Sequence, residues 1–155
     1  MRHFDEIFDI AADRKGGAAA LEDLLAPPTP SEDLKALGDD RWLAGATKSI
    51  FNAGFNWKVV DSMWPGFEAA FNRFDIYKCA NLDYEDFDRL TQDRRIVRYG
   101  VKIKAVQENA VFFLHLADAH GSAANAIVDW PATDYVGLLD MLKKRGTRLG
   151  GTTAQ

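Results

Sequence analysis

An all-helical, single-domain fold is what this sequence predicts, and three observations carry the expectation. Apolar residues recur at intervals of three and four along most of the chain, with Ile103, Val106, Ala110, Phe113 and Ala117 forming the clearest stripe. Between such runs stand helix-starting Ser, Asp and Asn and helix-stopping Gly and Pro, and no alternating strand pattern survives beside them. With 155 residues, 47% hydrophobic and 27% charged, the chain is long enough for one ordinary core and has no low-complexity block.

The elements follow in order. Phe4, Ile7, Phe8 and Ala11 mark an amphipathic opening helix, which the segment 14–17 breaks. AAALEDLL at 18–25 makes a short second helix stopped by PPTP, and Ser31 is a good N-cap for a brief third. Asp39 or Asp40 caps a fourth. WPGF at 64–67 separates two further helical pieces ending near Phe74, and Asp83 caps YEDFDRLTQD, in which Phe87 and Leu90 lie one turn apart. The long stripe belongs to a helix that runs to HGS at 120–122. Thr133 or Asp134 then caps a last helix through Leu138, Leu142 and Lys144.

The fourth helix needs a closer look. Leu43, Ala46, Ile50, Ala53 and Trp57 keep helical spacing across SIFNAGFNWKVV at 49–60, yet Gly54 and two asparagines sit among them. Gly54 suits the left-handed residue that closes one helix. Asn56 suits the N-cap of the next, which begins at Trp57 and carries Val60 and Met63 inward. The break is then a tight turn with Phe55 at its tip. Two roles are open to Phe55: a hydrophobic staple packed on Val60, or an exposed wedge for a base stack.

Charge is unevenly spread. The net charge of −4 argues against nucleic acid as a partner, but residues 89–104 hold six Lys/Arg against one Asp, and KKRGTR at 143–148 holds four Lys/Arg and no acid. Either island alone reads as a solvated helix end; facing the same way, the two make a surface for an anionic ligand. The single Cys79 cannot form an internal disulfide, and His3, His115 and His120 are too scattered for metal-ligand spacing. Neither metal nor cofactor is expected. The amino terminus lacks a signal-peptide core and no run is long enough to span a bilayer, so a cytoplasmic monomer without membrane contact is expected.

A second motif lies at the carboxy terminus. LLDMLKKRGTRLGGTT at 138–153 reads as a helix, a basic turn holding Gly146, Gly150 and Gly151, and the start of something Thr152 or Thr153 could cap. Backbone N–H groups of such a turn can hold one phosphate, with Lys143, Lys144, Arg145 and Arg148 supplying charge. The pattern resembles a helix-hairpin-helix, although a Gly-rich turn between helices is usually only a turn.

Taken together, NAGFNWKVV, then FEAAFNRFD, then LTQDRRIVRYGVKIKAVQENA, then LKKRGTRLGGTT resemble the DNA-3-methyladenine glycosylase I family in order and spacing. The resemblance covers residues 34–155 and leaves 1–33 as amino-terminal helices outside it. It implies the helix-hairpin-helix glycosylase fold and excision of alkylated bases, chiefly 3-methyladenine, from double-stranded DNA by N-glycosidic bond hydrolysis after base flipping. The family's stacking aromatic falls on Trp57, its apolar wedge on Phe55 beside Gly54, and Ser49 and Asn52 fall with Trp57 in the base-binding set. An alkylated adenine is cationic and a good leaving group, so an aromatic pocket does much of the work and a strong general acid is not demanded.

The chain departs from the family's pattern in four places. Ser49 stands eight residues before Trp57, where the family places a pocket glutamate, so the catalytic residue is unassigned. The family's zinc-binding Cys and His are absent, and an unrelated opening replaces its amino-terminal aromatic segment. The sequence also stops at Gln155, where the second hairpin helix is expected, which reads as a shortened chain. Two alternatives stand beside the glycosylase: a non-catalytic helix-hairpin-helix relative that binds DNA or its damage, and a plain helical interaction domain.

Overall fold

A computed structural model describes residues 2–25 and 27–154. Gln155, where the sequence reading expects the second hairpin helix, lies outside the described residues. Among those residues there are ten α-helices and no strand.

The chain divides into two compact units, Met1–Pro30 and Ser31–Gln155. The first holds α1 (Phe4–Lys15) and α2 (Ala18–Glu22). Gly16 and Gly17, both at positive φ, turn the chain between them. The second begins with α3 (Ser31–Ala36), α4 (Asp39–Asn52) and α5 (Trp57–Ala70). It continues with α6 (Ile76–Ala80), α7 (Tyr84–Gln92), α8 (Gly100–His120), α9 (Ala123–Val128) and α10 (Tyr135–Arg145). Its core gathers Leu43, Ile50 and Phe51 from α4, Val60 and Phe67 from α5, and the predicted stripe Ile103, Val106, Ala110 and Phe113 of α8.

Several caps fall where the sequence puts them. Asn56, Asp83 and Asp134 each accept a hydrogen bond from a backbone N–H two or three residues on, and Gly121 closes α8 in the left-handed region. Others do not. Gly38, not an aspartate, precedes α4; the Asp39 carboxylate instead accepts from the N–H groups of Ala123 and Ala124 at 2.9 and 3.4 Å, capping the distant α9. Gly150 rather than Thr152 or Thr153 precedes the final 3-10 turn, Gly151–Thr153, and no side chain caps it. Two short helices, α6 capped by Asp75 and α9 capped by Ser122, had no counterpart in the sequence reading.

WPGF does not divide a helix. α5 runs unbroken through Pro65. Proline removes one i→i−4 bond, but Pro65 lies on the exposed face, where water can reach the freed Asp61 carbonyl. On the other side the Trp64 ring stacks on both Phe67 and Phe74 at 5.4 Å, and this packing holds the helix together across the proline. Gly66 is there for space: a Cβ would meet the Arg95 carbonyl and come within 2.8 Å of the Arg95 Cβ.

α5 ends at Ala70, and Asn72, Arg73 and Phe74 then all take positive φ, between 52° and 60°. Phe71 and Phe74 are fully buried on either side of this turn.

Candidate active site and DNA interface

The interruption in α4–α5 is a turn of the predicted kind. The Ala53 N–H closes α4 on the Ser49 carbonyl, Gly54 takes φ 74°, and the Phe55 N–H donates to the Asn52 carbonyl at 3.0 Å. Nothing lies within 4 Å of a Cβ built on Gly54, so its backbone conformation alone requires glycine. Val60 is wholly buried, whereas Phe55 is 48% exposed and Trp57, the first residue of α5, is 60% exposed. Two large aromatic side chains therefore stand in solvent on one short turn.

A buried lysine fastens that turn. Lys102 of α8 is 4% exposed and donates from Nζ to the Phe51 and Ala53 carbonyls at 3.1 and 2.7 Å. These carbonyls close the carboxy-terminal end of α4, where a cation is favoured by the helix dipole. The ammonium also lies 5.2 Å from the Phe55 ring centre, within cation–π range. Burial pushes the Lys102 pKa down, and the charge of Arg148 pushes it further. The two basic islands thus approach each other at Lys102 and Arg148.

The rest of the first island is less available than its composition suggests. Arg89 pairs with Asp86 at 2.7 Å and Arg95 with Asp93 at 2.8 Å, and Lys104 donates to Gln107. Lys102 faces inward. The sequence could not separate a cation that fastens backbone from one that faces solvent, because both occur in the same run of α8 and its approach.

The carboxy-terminal turn follows α10. Gly146 is fixed by crowding, since a Cβ there would lie 2.7 Å from Leu149 Cδ1 and 2.8 Å from the Leu142 carbonyl. Asn109 of α8 grips the turn with both ends of its amide: Nδ2 donates to the Thr147 carbonyl at 2.9 Å, and Oδ1 accepts from the Thr147 N–H at 2.8 Å. Arg148 is exposed and held at φ 60°, and Leu149 enters the core. Gly151 also takes positive φ, while a Cβ on Gly150 would come within 3.3 Å of the Lys143 stem. Lys143, Lys144 and Arg145 close α10 as exposed cations; Lys144 faces Asp140 at 3.8 Å, and the Arg145 guanidinium lies over the Phe112 ring at 5.5 Å.

Ser49 belongs to a different surface from Phe55. It opens on a cleft of about 420 Å³ between α4 and α10, with Trp42, Ala46, Phe113, Leu142 and Leu149 among its walls. Among the described residues no carboxylate lines this cleft, and its one charged side chain is that of Arg41. Phe55 lines a separate open depression with Thr91, Val97, Arg98 and Tyr99. Asn52, one turn beyond Ser49, has a buried Oδ1 with no hydrogen-bond partner among the described residues. Nearby acids are already engaged. Asp61 pairs with Lys48 at 2.7 Å, and Glu68 receives two N–H groups of Arg41 and the Trp64 indole N–H. Those carboxylate contacts raise the Arg41 pKa well above its ordinary value.

An all-helical unit with exposed aromatics on a glycine turn and a basic turn after α10 is compatible with a base-excising DNA glycosylase, and the comparisons supply the identification. Residues 47–137 match the family model for methyladenine glycosylase, and the chain belongs to that family. It is 29% identical over 143 residues to DNA-3-methyladenine glycosylase 1 of Escherichia coli K12, covering 80% of this chain and 73% of that protein. A crystal structure of 3-methyladenine DNA glycosylase I superposes with a TM-score of 0.62 at 28% identity, covering 83% of this chain and 76% of that one. The enzyme from Staphylococcus aureus has the same fold, with a TM-score of 0.60 at 24% identity over 94% of this chain and 86% of its own. The family match spans the Phe55 turn and Lys102 and ends before the basic hairpin.

Proposed function

We propose that this chain is a DNA glycosylase that releases 3-methyladenine-type bases from double-stranded DNA. The carrying observation is the family match over 47–137, the segment that builds the Gly54 turn with Phe55 and Trp57 exposed on it. The glycosylase-like region, 34–155, is the working unit in this reading.

The chemistry asks for little from the protein. Alkylation leaves the base positively charged, so the bond from its ring nitrogen to the sugar breaks with the electron pair going to the base. Water supplies the oxygen that replaces it on the sugar carbon. Trp57 offers a face on which the extruded base stacks, where cation–π attraction favours the charged lesion over normal bases. Phe55 fills the gap left in the stack. Ser49 offers its hydroxyl to the cleft between α4 and α10, and the buried, unpartnered Asn52 Oδ1 suits an exocyclic amino donor once the last turn of α4 rearranges to admit it. Arg148 and the exposed cations closing α10 bind backbone phosphate without reading sequence. No free carboxylate is assigned as a base, since Asp61 and Glu68 are held in ion pairs.

The protein works in this reading as a cytoplasmic monomer. No helix among the described residues is long and apolar enough to cross a membrane. The deciding experiment is chromatography of bases released from methylated duplex DNA. Free 3-methyladenine appearing with time is the expected result. Duplex binding without any released base would overturn the enzymatic reading and leave a damage-binding protein.

A further inference from the structure

Only two of the buried residues of α8 are polar, Lys102 and Asn109. They lie seven residues apart, which places them on nearly one face, about 10 Å apart along the axis. Their described hydrogen bonds all go to backbone. Lys102 takes the Phe51 and Ala53 carbonyls, and Asn109 takes the N–H and carbonyl of Thr147. The segments they grip are the turn that carries Phe55 and the turn that carries Arg148.

Stability alone does not call for a lysine at this place. Burying an ammonium without a carboxylate is costly, and apolar residues of similar volume commonly serve a core as well or better. No acid lies within salt-bridge distance of Lys102 among the described residues, and Arg148 adds repulsion. What the two side chains supply is a fixed position for two loops. Lys102 ties down the carbonyls of residues 51 and 53, immediately before Gly54. Asn109 pins the residue preceding Arg148, whose backbone is already in the left-handed region.

We propose that Lys102 and Asn109 are positioning residues that make α8 a ruler between the Phe55 turn and the Arg148 turn, so that wedge and phosphate contact engage DNA as one rigid unit. The inference rests on the glycosylase reading for its functional consequence but not for its structural one. Lys102 touches no substrate; it acts through Phe55. Asn109 acts through Arg148.

The test is a Lys102→Met variant, with Lys102→Gln as a second substitution that keeps one donor should the first not fold. Hydrogen exchange comes first: the Ala53 and Phe55 amides should exchange about tenfold faster, while the core amides of α8 keep their protection. Single-turnover excision from methylated duplex should also fall by about tenfold. In a Phe55→Ala background the same substitution should change excision by less than about twofold, because the turn then has no wedge to place. Asn109→Ala should weaken duplex affinity, and that loss should vanish in an Arg148→Ala background. Unchanged exchange at the turn, or equal losses with and without Phe55, would overturn the proposal. A wild-type protein that releases no base sinks the glycosylase reading instead, and the exchange and duplex-affinity measurements still decide this one.

Discussion

Two turns of this protein are fastened in the same way and used in opposite ways. At 53–56, Lys102 donates to backbone carbonyls; at 72–74, Arg41 donates from Nη2 to the Arg73 carbonyl at 2.6 Å while its guanidinium also holds Glu68 through both Nη atoms and Asp40 through Nε. The first turn meets its left-handed requirement with Gly54 and leaves its aromatic residue in solvent. The second places three consecutive non-glycine residues in the left-handed region and buries Phe71 and Phe74 completely. Each such residue costs roughly 1–2 kcal/mol, and the aromatic stack from Phe67 through Trp64 and Phe74 to Phe71 offsets it. Strain and exposure therefore fall on different turns: the strained one packs its rings inside, and the unstrained one leaves a large ring half in solvent.

Substitutions can break that contrast. The largest effect is expected at the buried turn: Phe74→Ala should lower stability by about 3–5 kcal/mol, measured by chemical denaturation. A loss below about 1 kcal/mol would mean that the left-handed turn relaxes once the ring is gone and that packing was not holding it. Trp57→Ala should cost about 1–3 kcal/mol in binding of free 3-methyladenine, with circular dichroism unchanged. Equal affinity in the folded variant would remove Trp57 from the base site.

Phe55→Ala is the complement of Phe74→Ala. Its melting temperature should stay near that of the parent while lesion-duplex affinity or excision falls, because a half-exposed ring contributes little to the core. A destabilised variant with unchanged DNA affinity would make Phe55 a staple after all. Arg148→Ala sharpens the picture at the second contact. It should reduce the salt dependence of duplex binding by roughly one unit of slope, and an unchanged slope would take the hairpin off the DNA surface.

The smallest effect concerns acid. Hydrogen bonding to Arg95 and to Arg89 holds the Asp93 and Asp86 carboxyls below their ordinary range. A carboxylate with a depressed folded pKa contributes stability above the ordinary carboxylate range and loses it as pH falls through the folded value. Melting temperature should therefore decline slightly on acidification below about pH 4, and Asp93→Asn should flatten that decline. Arg95 of this turn lies against Gly66 of α5, so an undiminished decline in the variant would trace acid sensitivity to other groups.

Much of the architecture could be read from local sequence because local forces decide it. The α8 stripe depends only on a 3.6-residue period. The Gly54–Asn56 break depends on one left-handed residue and one cap, and Asp83 and Asp134 need only a short polar side chain ahead of a helix. The reading failed where distant residues intervene. Pro65 marks a helix break by its own chemistry, yet Trp64 stacked on Phe74 carries the helix through. Asp39 has the chemistry of a local cap and serves α9 instead.

The candidate site divides along the same line. Residues 49–57 supplied the candidates, because glycine, asparagine and aromatic side chains at that spacing have a local meaning, and the family match spans the same segment. By itself the sequence determined the long helices, the turn and the identity of the residue at its tip, but not the short α6 and α9 or the continuity of α5, since only the former follow from backbone preference within a few positions. Only the tertiary structure decided that Ser49 faces a cleft without a carboxylate, that Glu68 and Asp61 are held by cations, and that Lys102 turns inward while its neighbours in the same basic run stay at the surface. The physical reason is that a charged side chain's role is set by what it meets across the fold, and residues 51 and 102 are brought together by packing that no local period encodes.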